Sequence, residues 1–225
     1  MTGVFTPRFD ILPPAQRWLW PNLAGATKLG FVLYGGTAIA LRLGHRTSVD
    51  FDFFTSRALD RATIVKTLPW TGEATVLQDA PDTLTVLAAG GDNMNDTVKV
   101  SFFGIPGFGR IAAPDATMDG VLRVAALADL MATKLKVILQ RAEAKDYRDI
   151  AAMLRAGSSL PDGLAGARAL FGASFQPSEA LKALVYFKDG DLSDLSTNDK
   201  TLLVQAASTV QDVPSIHILA PEPDA

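Results

Sequence analysis

The chain has 225 residues, with 21 Lys and Arg against 24 Asp and Glu for a formal net charge of −3, and no cysteine. That length suits one large domain or a domain with a helical appendage; the lack of cysteine excludes disulfides and thiolate zinc sites, and the mild acidity argues against a broad nonspecific nucleic-acid surface. No apolar run reaches membrane-spanning length and no basic-then-apolar leader is seen, so the expectation is a cytoplasmic protein with no membrane partner.

Residues 1–13 read as a Pro-containing arm. Pro14 to Leu23 follows as a short helical segment that Pro21 should kink or end, with Trp18, Leu19 and Leu23 packing on a sheet. Phe31 to Tyr34 is a short apolar, aromatic and β-branched run stopped by Gly35 and Gly36, the pattern of a buried strand ending in a tight turn. Ala38 to Leu43 are good helix formers; Thr37 is placed to cap them and Gly44 to end them in the left-handed conformation.

The period then changes from helical to two. In Ser48-Val49-Asp50-Phe51-Asp52-Phe53 the expectation is that Ser48, Asp50 and Asp52 share one strand face while Val49, Phe51 and Phe53 enter the core. Like charges at that spacing repel, and Asp is disfavoured in strands, so the pair calls for a divalent cation. Mg²⁺ (or Mn²⁺) binds through one or two carboxylates plus substrate phosphates, and a Gly-Gly turn opening a helix offers bare amides to a phosphate chain. Either feature alone is commonplace; in succession they describe a site for a nucleoside triphosphate and its metal, with Asp50 and Asp52 as the metal ligands.

Asp60 to Leu68 has helical spacing closed by Pro69. Strands are expected at Ala74 to Leu77, Thr83 to Ala88 and Thr97 to Phe103, with Gly90, Gly91, Asn93, Asn95 and Asp96 as a mobile hairpin tip. On the last strand Lys99, Ser101 and Phe103 share a face, and no Asp or Glu lies within it.

From Val121 the pattern is mainly helical. Two helices are expected, Leu127 to Arg141 and Lys145 to Arg155, the first with Leu127, Leu130, Met131, Leu135 and Ile138 as its apolar stripe. Lys134 lies on or beside that stripe, either snorkelling to water or pointing into a cleft to meet a triphosphate. Asp146 and Asp149, three apart, share a helix face, where they either pair with Lys145, Arg141 or Arg148 or carry chemistry. Further helices are read at Leu160 to Phe171, Pro177 to Phe187 and Asn198 to Val210, before a disordered tail, APEPDA. His45 reads as a turn and packing residue and His217 as idle. The composition divides the chain into 1–115, a helical region 116–215 and a tail 216–225.

The stretch LYGGTAIALRLGHRTSVDFDFF resembles, almost position by position, the signature of the AbiEii/AbiGii toxin-like family of polymerase-β-like minimal nucleotidyltransferases. Asp129-Leu130, Lys134, Arg141, Lys145-Asp146 and Asp149 match the spacing of that family's second signature, with Lys145 where an arginine is commoner. The resemblance covers about residues 30–155. It implies an α+β fold, a mixed sheet flanked by helices and followed by a C-terminal helical bundle, and a nucleotidyl transfer activity dependent on Mg²⁺ or Mn²⁺.

It further implies catalytic roles for Asp50, Asp52, Lys134, Asp146 and Asp149, and nucleotide contacts from Gly35, Gly36, Thr37, Ser48, Arg46, Lys134 and Arg141. The implied partners are a nucleoside triphosphate (GTP or a pyrimidine nucleotide), an acceptor hydroxyl on tRNA, other RNA or protein, and a cognate antitoxin in a bacterial type IV-like toxin–antitoxin system. Arg42, Arg46, Lys134 and Arg141 are the cations expected to face a polynucleotide. Polymerase-β-like enzymes usually carry a third carboxylate on a neighbouring strand. Here Ser101 holds that place, a carboxylate comes from elsewhere, or catalysis is weakened, so a nucleotide-binding protein of the same fold and a partner-binding module stand as alternatives.

Overall fold

The computed structural model describes residues 3–91 and 96–219. The described residues divide into two compact units, one running to Phe108 and joined by Ala113–Ala125, the other made of Gly109–Ala112 and the residues from Ala126 on. The division thus falls at Ala125/Ala126, ten residues beyond the compositional one at 115/116, because residues 115–124 supply two strands to the sheet.

The first unit is built on eight strands: β1 (Val4–Phe5), β2 (Val32–Tyr34), β3 (Phe51–Thr55), β4 (Thr75–Ala80), β5 (Thr83–Ala89), β6 (Thr97–Gly104), β7 (Asp115–Thr117) and β8 (Arg123–Val124). Their order across the mixed sheet is β1-β7-β8-β2-β3-β6-β5-β4. The expected strands at 31–34, 74–77, 83–88 and 97–103 are all present. The hairpin residues Asn93 and Asn95 lie outside the described residues, as does the tail from Ala220.

Five helices belong to this unit: α1 (Pro14–Leu19), α2 (Ala24–Lys28), α3 (Gly35–Leu43), α4 (Arg61–Thr67) and α5 (Trp70–Glu73). Pro21 lacks an amide proton, and the chain passes from α1 through a 3₁₀ turn, Trp20–Leu23, into α2. The turn rotates Trp20 inward to 5% exposure and leaves Trp18 at 48%, so Trp20 packs in the core place expected for Trp18. Trp20 lies edge-on to Phe9 and tilted against Phe51, while Phe51, Phe53 and Phe102 stack in sequence on the buried sheet face. Asp60 caps α4 by accepting from the Thr63 amide at 3.1 Å.

The second unit holds α6 (Leu127–Val137), α7 (Ala144–Arg155), α8 (Leu160–Phe171), α9 (Pro177–Val185) and α10 (Thr197–Ser208). α6 stops four residues short of the expected Arg141, freeing Arg141 to fold back on the start of α7. α6 and α8 approach closely because Gly163 presents no side chain to Met131 and Leu135, while Gly166 makes room for Ile111. A Cβ on Gly163 would sit 2.4 Å from Met131 Cγ. Among the described residues no helix is long and apolar enough to cross a membrane.

Candidate nucleotide and metal site

β2 and β3 are antiparallel with Tyr34 opposite Asp52, and the chain leaves β2 directly into α3 at Gly35. Gly35 has φ +74, a conformation L side chains rarely adopt, and a Cβ there would lie 2.7 Å from Asp52 Oδ2. The glycine is therefore what lets the helix start against the carboxylate. This start is earlier than expected: the residue capping α3 is Tyr34, without a side-chain cap bond, and Thr37 lies inside the first turn. Gly44 ends the helix with φ +66, as expected.

Thr37 is a brace, not a cap. Its side chain is buried and hydrogen-bonds both Ser48 Oγ, at 2.7 Å, and the main-chain oxygen of Asp50. A carbonyl only accepts, so Thr37 donates its proton to Asp50 O and Ser48 donates to Thr37. Ser48 is buried and committed to this contact. The main-chain amides of Gly36 and Thr37, in the first turn of α3, have no acceptor within the helix and remain suited to an anion.

The strand is shorter at its start than the alternation implied. β3 begins at Phe51 because β2 turns into α3 opposite Asp52 and leaves residues 48–50 no antiparallel partner. Val49 is consequently 52% exposed, not in the core, and its carbonyl accepts from Gln16 Nε2 at 2.6 Å. Phe51 and Phe53 are fully buried, and Asp50 and Asp52 are partly exposed, as expected.

β6 runs parallel to β3, pairing Val100 with Phe51 and Ser101 with Asp52. Across the sheet on the Asp52 face the aligned side chains are Tyr34, Asp52, Ser101, Thr85 and Gln78. Asp52 is the one carboxylate in that row. Ser101 and Thr85 are buried and share a hydrogen bond of 3.3 Å. Lys99, one position-pair back on the same face, places Nζ 3.0 Å from Asp50 Oδ2. The sequence showed the shared face but not this ion pair.

Asp50 and Asp52 are hard oxygen donors of the kind a divalent cation takes, with the Gly35 turn against Asp52 and the Lys99 ammonium on Asp50. Among the described residues no group of three or more His, Cys, Asp or Glu is placed to hold a metal ion. A separate cavity of about 230 Å³ lies at the far end of β3, bounded by Lys28, Phe31, Thr55, Arg57 and Asp60; none of the expected site residues lines it.

Arg42 is not a polynucleotide contact. It donates to the carbonyls of Val124 and Ala125, pairs with Asp115 at 2.9 Å and lies 4.4 Å from the Phe5 ring centre. It thereby clamps α3 to the short strands β1, β7 and β8. Arg46 donates to the Thr47 carbonyl at 3.0 Å.

In the second unit Lys134, Asp146, Asp149 and Arg141 form one ion cluster. Lys134 Nζ lies 2.6 Å from Asp146 Oδ1 and 2.7 Å from Asp149 Oδ2, and Arg141 Nε is 2.8 Å from Asp146 Oδ2. Both carboxylates are fully buried and Lys134 is 7% exposed, so the ammonium does not snorkel to water; Arg141 is 45% exposed. Burial alone pushes the Asp146 carboxyl up, but the bonds from Arg141 and Lys134 outweigh it and hold the group below its ordinary range. Lys145 instead pairs with Glu143 at 2.6 Å.

Asp129, which the sequence marks only through the second signature, accepts from the amides of Ile111 and Ala112 at 2.8 and 3.1 Å. Burial pushes its carboxyl up despite those bonds.

The family model described as "Nucleotidyl transferase AbiEii toxin, Type IV TA system" matches residues 23–209. An uncharacterised protein of Aquifex aeolicus (strain VF5) is 32% identical over 127 residues, 56% of this chain and 58% of that protein. The matched region thus spans little more than half of that relative. The crystal structure of an antigenic nucleotidyltransferase-like protein from Paracoccidioides brasiliensis superposes with a TM-score of 0.50 at 16% identity, covering 89% of this chain and 94% of that one. The nucleotidyltransferase toxin MenT4 of Mycobacterium tuberculosis H37Rv is similar at a TM-score of 0.48 and 16% identity, covering 83% and 85% of the two chains.

Proposed function

The chain belongs to the AbiEii nucleotidyl transferase toxin family, and on that premise we propose that it transfers a nucleoside monophosphate from a nucleoside triphosphate to a hydroxyl of tRNA, other RNA or protein. The observation that carries the proposal is the seating of the Gly35 turn against the Asp52 carboxylate, with Asp50 beside it held by Lys99 of the adjoining strand. A phosphate chain and a divalent cation need these two features side by side.

Asp50 and Asp52 would hold Mg²⁺ or Mn²⁺, which when bound supplies Lewis-acid neutralisation of the phosphate oxygens. The Gly36 and Thr37 amides receive phosphate oxygens, while Thr37 and Ser48 fix the main chain that carries Asp50. The acceptor oxygen bonds to the α-phosphorus, the bond from that phosphorus to the bridging oxygen breaks, and pyrophosphate leaves with the electron pair. The acceptor proton passes to a carboxylate or to solvent. Lys134, Asp146 and Asp149 are proposed to act as one group: Asp146, held anionic by two cations, is a poor proton acceptor and, with Asp149, fixes the Lys134 ammonium.

In keeping with the family description, the proposed setting is the bacterial cytoplasm and the proposed protein partner is an antitoxin. A second reading, triphosphate binding without turnover, is favoured by Ser101 standing opposite Asp52 where a third carboxylate would be expected. Incubation with Mg²⁺, each labelled ribonucleoside triphosphate and total bacterial RNA separates the two. Label moved onto RNA or protein establishes transfer; triphosphate bound with no product establishes the second reading.

A further inference from the structure

Sites that clamp both the attacking and the leaving oxygen with metal commonly hold two divalent ions about 3.5–4 Å apart, and a carboxylate pair alone is a thin ligand set for two such ions. Here the strand beside β3 contributes no carboxylate. It contributes Ser101 opposite Asp52 and, next to Asp50 on the same face, the ammonium of Lys99 at 3.0 Å from Oδ2. Ser101 is buried and bonded to Thr85, so it is not open to an ion. Lys99 and Asp50 keep 42% and 39% of their side-chain surface exposed, a setting in which an ion pair adds little to fold stability and in which the ammonium faces the same open side as the carboxylate.

We propose that this is a site for one divalent ion, in which the Lys99 ammonium, held on Asp50, supplies the second positive charge that a second metal would otherwise bring. The inference rests on the nucleotidyl transfer reading. A lysine suits this role because it is a compact point charge on a flexible stem, able to stay on Asp50 while turning a second proton toward a phosphate or acceptor oxygen.

The test counts ions. The full chain is titrated with Mn²⁺ in the presence of an α,β-methylene triphosphate analogue, and bound Mn²⁺ is counted from the loss of its free-ion magnetic resonance signal. Wild type, Lys99→Met and the double variant Lys99→Met, Ser101→Asp are compared, and circular dichroism confirms that each is folded. The expected result is one Mn²⁺ per chain for wild type and Lys99→Met, and two for the double variant, in which a carboxylate replaces the cation.

Transfer by Lys99→Met should fall about 10²-fold in kcat, the scale for losing one preorganised charge-stabilising donor, and Lys99→Arg should restore part of it. Two Mn²⁺ on the wild type, or one Mn²⁺ with undiminished kcat in Lys99→Met, would overturn the inference and leave nucleotidyl transfer standing. Wild type that binds neither analogue nor Mn²⁺ would overturn both.

Discussion

The hydroxyl of Thr37 is bonded to the main-chain oxygen of Asp50, so the first turn of the helix that follows Gly35–Gly36 and the residue that opens the carboxylate pair move as one piece. Ser48 completes the brace at 2.7 Å. Replacing Thr37 with Val keeps the shape but leaves the Asp50 carbonyl and the Ser48 hydroxyl short of a partner inside the protein. The expected cost is about 1–3 kcal/mol in stability. Transfer should fall by about 10²-fold, as when reacting groups are displaced by about an ångström. Thermal melts and single-turnover transfer by Thr37→Val check both.

Gly35 makes a sharper prediction. An alanine there must adopt φ near +74 and set its methyl 2.7 Å from Asp52 Oδ2. Since Asp52 is partly exposed, the side chain moves aside more readily than the fold gives way. Gly35→Ala should therefore lose Mn²⁺-dependent binding of a triphosphate while its melting temperature drops only by the few degrees that about 1–2 kcal/mol of backbone strain implies. A variant that melts normally and binds the triphosphate normally would show that the close approach of turn and carboxylate is incidental.

The cluster around Lys134 ties stability to the proposed function. Lys134→Met would set an apolar chain end against two fully buried carboxylates, leaving Arg141 on Asp146 but removing the 2.7 Å ammonium contact of Asp149. Removing one partner of a buried ion pair costs about 3–5 kcal/mol, so loss of transfer in this variant has to be read beside its melt. Lys134→Arg keeps the charge but not the point geometry. It should retain most of the stability and lose most of the transfer, since a planar fork cannot occupy the place of a compact ammonium bonded to both Asp146 and Asp149.

The pH dependence has a definite sign. Burial pushes the Asp146 carboxyl up and the Arg141 and Lys134 bonds pull it further down; Asp199 is likewise lowered because Arg155 and Ser196 outweigh burial. A carboxyl lowered in the fold contributes stability above the unfolded-chain value of about 3.9, and that stability is lost as pH falls through the folded value. Acid titration followed by circular dichroism should show helix loss below the ordinary carboxylate range. Asp146→Asn should be less stable at neutral pH yet show a shallower acid slope; an unchanged slope would contradict the assignment.

Much of this was legible in the residues because it rests on local periodicity. The apolar run before Gly35, the Asp50 to Phe53 part of the alternation and the helical spacing of α6 to α10 each specify an element by its own composition. β1, β7 and β8 span two or three residues, too short for any period to show, and exist because neighbouring strands complete them. Trp18 and Trp20 could not be told apart without knowing how far the 3₁₀ turn at Pro21 rotates the chain. Arg42 and Lys99 illustrate the limit for the site: both are cations near the motif, but their partners Asp115 and Asp50 lie 73 and 49 positions away in sequence, and pairings at that distance follow from strand order alone.

The most direct measurement of the central claim is transfer of labelled nucleotide by the wild-type chain and by Asp50→Asn, Asp52→Asn, with Mg²⁺, each ribonucleoside triphosphate and total bacterial RNA. The account predicts covalent label on an RNA or protein acceptor with the wild type and none with the folded double variant. Equal labelling by the two proteins would contradict it.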